Sequence, residues 1–168
     1  MKAVVFHAPL DVRLEEVRKP QCPSGGLLVE VEACGVCGTN LKTYRYGNPR
    51  IKAPQIMGHE FVGIIMKNSA DYREFNVGDR IIIATSVSCS RCYFCQKSWR
   101  NLCDFFSPMG FFYPSGMAEF VAIPARAVDN GHVIKVPKAI PSECATLSEP
   151  LSCVVNASEN IRMQKGVR

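Results

Sequence analysis

The chain has 168 residues, of which 47 % are hydrophobic and 21 % charged, the balance of an ordinary globular protein with one good-sized domain and its own core. Its net charge of +5 is mild and its basic residues are scattered, which argues against a nucleic-acid partner. No apolar stretch approaches membrane-spanning length, and Met1-Lys2 leads into a short apolar run that breaks at Pro9 without a cleavage site, so neither membrane nor secretory signal is predicted.

In chain order, Lys2 to Phe6 reads as a strand, and Val12, Leu14 and Glu16 fall in a second one after a turn at Pro9-Leu10. Pro20, Pro23, Gly25 and Gly26 mark a loop. Residues 27–33 then alternate, with Leu27, Val29, Val31 and Ala33 on one side and Leu28, Glu30 and Glu32 on the other: a half-buried strand that delivers the chain to Cys37. Thr39 or Asn40 is the expected cap of a short helix to Tyr46, ended by Gly47-Asn48-Pro49. Ile56 to Ile65 reads as one apolar strand interrupted only by His59 and Glu60. Gly78-Asp79 turns the chain into a buried strand over Arg80 to Ala84, and further strands are expected at Ala118 to Ile123 and Val133 to Val136. Ser142-Glu143 starts a helix, and Ala145 to Asn160 suits one or two helices broken near Pro150. Many short strands with turn signals, followed by helix, predict a mainly β fold: a partly open β-barrel with peripheral helices.

Two groups of residues carry chemistry. Cys89-x2-Cys92-x2-Cys95-x7-Cys103 can wrap a tetrahedral metal with four thiolates, a closed shell that is structural rather than reactive. The surrounding lobe, residues 86–106, is poor in large aliphatics, so metal binding there is folding energy. An iron–sulfur cluster is the competing occupant, although the last gap is too long for the bacterial ferredoxin run and no proline follows Cys103. Free thiols are the bland alternative. The second group is Cys37, His59 and either Glu60 or Glu149. A thiolate, an imidazole and a carboxylate can hold one zinc ion and leave a position open to substrate. A His-Glu pair in an apolar strand is costly without partners, and a metal supplies one. Singly, each has a duller reading: Cys37 as a small buried hydrophobe, His59 as a hydrogen-bonded core residue, either glutamate as solvated. With nine cysteines and no secretory signal, the chain is expected in the cytoplasm with metal ligands and buried thiols rather than disulfides.

Cys37-Gly38-Thr39, Gly58-His59-Glu60, the four-cysteine cluster and Ser148-Glu149-Pro150 occur in the order found in the zinc-dependent medium-chain alcohol, sorbitol and threonine dehydrogenases, which the chain resembles over nearly its whole length. The resemblance implies a GroES-like catalytic domain over residues 1–168, with one catalytic and one structural zinc. It implies a small alcohol or polyol as substrate and NAD or NADP as hydride acceptor in the full-length enzyme. Thr39 matches the family's proton-relay position, with a helix cap as the plain reading. A glutamate at position 149 resembles the sorbitol-dehydrogenase-like branch; a cysteine stands there in the alcohol-dehydrogenase branch. Cys34 resembles a packing thiol rather than a ligand. Asn40 departs from the usual aspartate, which supports the zinc histidine, and Lys42 from the usual relay histidine. No Gly-x-Gly-x-x-Gly occurs, so the C-terminal cofactor-binding Rossmann domain is expected to be missing and to begin beyond Gly166-Val167-Arg168. On this view the isolated chain has little activity, and oligomer contacts come chiefly from the absent domain. The alternative is a non-enzymatic, zinc-stabilised interaction module.

Overall fold

The computed structural model describes residues 1–70 and 74–161; the segment Gly166 to Arg168, beyond which a cofactor domain is expected to begin, lies outside them. Strand β1 (Lys2–Ala8) turns at Leu10, whose φ is +63°, into β2 (Asp11–Glu16), and the two pair antiparallel with Val4 opposite Leu14. The central strand is β3 (Leu27–Cys34). It lies between β5 (Phe61–Asn68) and β9 (Phe120–Ile123), and β6 (Arg80–Ile83) and β10 (Val133–Lys135) extend the sheet beyond β5 in the order β10-β6-β5-β3-β9. Every ladder between these strands is antiparallel.

The segment just before β9 stitches the two sheets together. Val4 N–H donates to the Met117 carbonyl at 2.8 Å and Glu119 N–H to the Lys2 carbonyl at 3.1 Å, while Val31 N–H donates to Glu119 at 2.9 Å. One side of the curved sheet is thereby closed and the other left open, which is the partly open barrel. Its interior is filled by the inward residues of the alternating strands: Leu27, Val29, Ile65, Ile81 and Ile123 are all fully buried, with Met109 among them. A smaller cluster of Phe6, Ile51 and Met57 sits under β1.

The helical segments complete the surroundings of the site. Helix α1 (Gly38–Tyr46) follows β3 directly. Its cap is Cys37, in extended backbone, and not Thr39 or Asn40; Asn40 sits one turn in and reaches back, its Oδ1 accepting the Cys37 N–H at 3.1 Å. The cysteine lobe leaves the barrel through a two-stranded neck, β7 (Ser86–Val87) paired with β8 (Ser107–Pro108), and holds the short helix α2 (Tyr93–Gln96) and one 3₁₀ turn at Arg100–Leu102. After the short helix α3 (Ala125–Asp129) and β10 come α4 (Ser142–Thr146) and α5 (Ser148–Asn160), the last elements among the described residues. The break falls at Leu147 rather than near Pro150. Pro150 occupies the first turn of α5, where no N–H is owed to the helix and its ring fits without strain.

The strand expected over Ile56 to Ile65 is also two pieces. Strand β4 (Gln55–Ile56) pairs with β1, β5 begins at Phe61, and the link between them carries His59 and Glu60. Gly58, at φ +90°, turns the chain there, and residues 56–58 bond instead to the backbone of residues 115–117. The apolar run continued through a link whose bonds go elsewhere.

Gly63 shows how closely β3 and β5 approach: a Cβ there would run into the Glu30 carbonyl and lie 2.6 Å from Val29 Cγ1. Gly63→Ala is therefore expected to lower stability in urea unfolding by about 1–3 kcal/mol. Gly38→Ala, with nothing within 4 Å of the new Cβ, should stay within about 0.5 kcal/mol of the parent. Equal effects of the two would contradict this packing.

Candidate metal centres

The barrel register brings the first group together. Cys34 at the end of β3 pairs with Phe61 at the start of β5, so Cys37 lies three residues beyond one strand end and His59 two residues before the other. Cys37 Sγ and His59 Nε2 are 3.3 Å apart, and the donor atoms of Cys37, His59 and Glu60 all fall within 4.8 Å of one another. Glu60 is buried, and Gly35 makes room for it: Gly35 N–H donates to the Glu60 carbonyl at 2.7 Å, and a Cβ on Gly35 would sit 2.5 Å from Glu60 Oε2. A buried carboxylate, a thiol and an imidazole at this separation suit a divalent cation of zinc's preferences.

Asn40 supports Cys37 and not His59: its Oδ1 lies 3.1 Å from the Cys37 amide and 3.2 Å from Cys37 Sγ. Cys34 stands outside the donor group, packed against Gly58, and burial first, then the charge of Glu60, push its thiol up to about 12. It is not a thiolate near neutrality.

Glu149, in the first turn of α5, is outside the 4.8 Å group but faces the same space. It lines, with Thr39 and His59, a cavity of about 190 Å³. Burial raises its pKa above the ordinary carboxylate range, His59 pulls it down and Glu60 pushes it up. The helix pair is held in place by Arg80 of β6, which bonds Glu32 at 2.9 Å and Ser142 Oγ at 2.8 Å, and by Ala145 of α4, buried against Val62 and Val136. Phe111 covers the imidazole, its ring centroid 5.9 Å from that of His59. Lys42 is exposed on α1 and does not line this cavity.

The second group lies in the lobe. The sulfurs of Cys89, Cys92, Cys95 and Cys103 are within 4.8 Å of one another, and none of the nine cysteines is in a disulfide. Local turns bring the donors in. Cys92 caps α2, Cys95 lies inside it, and Cys103 closes the 3₁₀ turn. Backbone amides converge on the sulfurs: Cys89 N–H donates to Cys103 Sγ and Cys92 N–H to Cys89 Sγ, both at 3.3 Å. Such donors, led by the Arg91 amide, draw the Cys89 thiol down to about 6, whereas burial holds Cys103 up at about 11. A four-thiol shell with amide donors already aimed at sulfur suits a tetrahedral metal ion.

A clamp that the sequence did not reveal fixes the lobe to the barrel. Ser88, fully buried beside Cys89, has its carbonyl gripped by Arg126 Nε at 2.9 Å and Asn130 Nδ2 at 2.8 Å, and its N–H donated to His132 Nε2 at 3.0 Å. Arg126 also bonds the Phe105 carbonyl on the far side of the lobe. A lone histidine in an apolar segment carries no pattern that would have marked His132 for this role. Among the described residues, no helix is long and apolar enough to cross a membrane.

With this geometry in place, the comparisons with known proteins assign the family. The sequence profile of the alcohol dehydrogenase GroES-like domain matches residues 23–138. The chain belongs to that family and corresponds to the GroES-like domain of the zinc-dependent alcohol and polyol dehydrogenases. An erythritol/L-threitol dehydrogenase of Mycolicibacterium smegmatis is 37% identical over 97% of this chain and 48% of its own length. An uncharacterized zinc-type alcohol dehydrogenase-like protein of Haemophilus influenzae is 31% identical over 99% of this chain and 47% of its own. Among solved structures, an Escherichia coli alcohol dehydrogenase complexed with NADH has a TM-score of 0.84 at 28% identity, covering 95% of this chain and 45% of that one. The chain spans about half the length of the relatives it matches.

Two outcomes follow from the site. Gly35→Ala, by displacing Glu60, is expected to weaken any zinc held by the Cys37, His59 and Glu60 group about tenfold or more in competition with a chromophoric chelator, leaving the four-cysteine group unchanged; an affinity equal to the parent's at the first group would contradict the role of Glu60. His132 is neutral in the clamp, since its Nε2 accepts the hydrogen bond of the Ser88 N–H, and burial first, then Arg100 and Arg126, push its pKa below the ordinary value. A depressed folded-state pKa means its stabilisation is complete above about 6.5 and is lost as pH falls from there toward the folded value. The urea midpoint of the parent chain should therefore drop more steeply below pH 6.5 than that of His132→Gln; identical slopes would contradict the clamp.

Proposed function

We propose that this chain is the zinc-bearing catalytic domain of an NAD(P)-dependent alcohol or polyol dehydrogenase, with the whole of residues 1–168 acting as that domain. What supports the reading is one juxtaposition: Cys37 Sγ and His59 Nε2 at 3.3 Å, with Glu60 in the same 4.8 Å group and Glu149 facing the adjoining cavity. Cys37 and His59 would hold the ion, with Glu60 or Glu149 as the third ligand; Cys89, Cys92, Cys95 and Cys103 would hold a second, structural one. The catalytic zinc supplies Lewis acidity that polarises the alcohol or carbonyl group of the substrate.

The chain's own residues do the rest. Thr39, lining the cavity beside His59, offers a hydroxyl through which the substrate's proton leaves before hydride transfer. Phe111 shields the imidazole and keeps water from that side. Glu149, with a raised pKa, tolerates a site that already carries Glu60. The hydride acceptor would be bound by a further domain of the kind the relatives' greater length allows, so this chain alone is expected to turn over little alcohol.

Metal analysis tests the reading. The folded chain should carry two zinc ions, of which Cys37→Ser removes one without unfolding, while Cys89→Ser removes the other and lowers the melting temperature. A single zinc, lost only with Cys89→Ser, would favour a zinc-stabilised interaction module instead. A fast alcohol-dependent reduction of NAD(P) by the isolated chain would contradict the need for a second domain.

A further inference from the structure

The cavity beside His59 carries a cation that none of the preceding chemistry uses. Arg50 lines it together with Thr39, His59 and Glu149, and is the one Lys or Arg side chain to do so. Its backbone is fixed. Gly47, at φ +75°, ends α1; the Arg50 amide then donates to Asn48 Oδ1 at 3.0 Å, and the next residue, Ile51, is buried against Phe6 and Met57. The side chain, by contrast, is exposed and makes no ion pair or hydrogen bond among the described residues. A planar guanidinium on an anchored base, lining a small polar cavity and in no ion pair although Glu149 lines the same cavity, is suited to a planar or tetrahedral oxyanion.

Size and layout narrow the ligand. A volume of about 190 Å³ is that of roughly six water molecules, so only a short molecule fits between the metal donors and Arg50. The hydroxyls of Thr39, Thr85 and Ser86 line the space between, and Phe111 and Met109 are its apolar contribution. We infer that Arg50 determines specificity: it selects small hydroxyl-bearing substrates that carry an anionic group, carboxylate or phosphate monoester, a few bonds from the reacting carbon. This deepens the dehydrogenase reading and rests on it. The substrate's hydroxyl lies toward Cys37 and His59, and its charged end lies at the guanidinium.

Binding to the zinc-loaded chain, followed by NMR shifts of cavity residues, tests this with three probes: 2-hydroxybutyrate, glycerol 3-phosphate and neutral 1,2-butanediol. At least one anion should bind about tenfold more tightly than the diol, and whichever binds more tightly names the anionic group. Arg50→Gln should erase the preference while leaving diol affinity within about twofold, and Arg50→Lys should keep part of it. An anion preference that survives Arg50→Gln, or no shift from any probe, overturns the inference. Cys37→Ser separates the two readings. If all three probes bind it as they bind the parent, the metal-centred reading fails while a preference lost in Arg50→Gln still stands.

Discussion

The antiparallel pairing of β3 with β5 is the constraint on which the rest depends. With Cys34 opposite Phe61, the loop after one strand and the link before the other are forced side by side, and Cys37 and His59 meet at 3.3 Å. A slip of one residue would turn the inward residues of both strands outward and part the two donors. The register is secured from several sides. Leu27, Val29 and Ile65 must face the core, Gly63 admits the close approach of the strands, and Gly35 leaves space for the Glu60 carboxylate. Packing and site geometry are therefore one requirement, met by the same two strands.

The lobe is organised on a different principle. It contributes little to the barrel core and is joined by a two-stranded neck of two residues a side, so its shape comes from turns that aim four sulfurs at one point. A firm hold on the barrel side is the set of bonds between Ser88, next to the first sulfur, and Arg126, Asn130 and His132. A metal ion in that shell would connect the chain ends of the lobe that hydrophobic contact leaves unjoined. The two donor groups thus differ: one gathers four sulfurs within a lobe, the other borders a small polar cavity.

Much of this was legible in the sequence because it rests on local rules. The alternation of residues 27–33, the spacing of the four cysteines, and the placement of Cys37 and His59 next to glycines each follow from short-range pattern, and the structure gathers the donors accordingly. The misreadings came where a short pattern did not say which partners the backbone takes. The carbonyls of residues 56–58 accept hydrogen bonds from the amides of residues 115–117, so a continuous apolar run became two strands with His59 and Glu60 in the gap. The helix break moved from Pro150 to Leu147 because a proline within the first turn breaks nothing. The helix cap moved from Thr39 or Asn40 to Cys37, because α1 starts at Gly38 and Asn40 reaches back to the Cys37 amide. Arg50 and His132 carry no motif at all; only the folded chain shows what they face.

The most direct test is anomalous diffraction at the zinc edge from crystals of this chain. Two peaks are expected: one among the four lobe sulfurs, and one at coordinating distance, about 2.0–2.3 Å, from Cys37 Sγ and His59 Nε2. A peak in the lobe with none between Cys37 and His59, in crystals grown with zinc in excess, would contradict the catalytic centre on which the assignment rests.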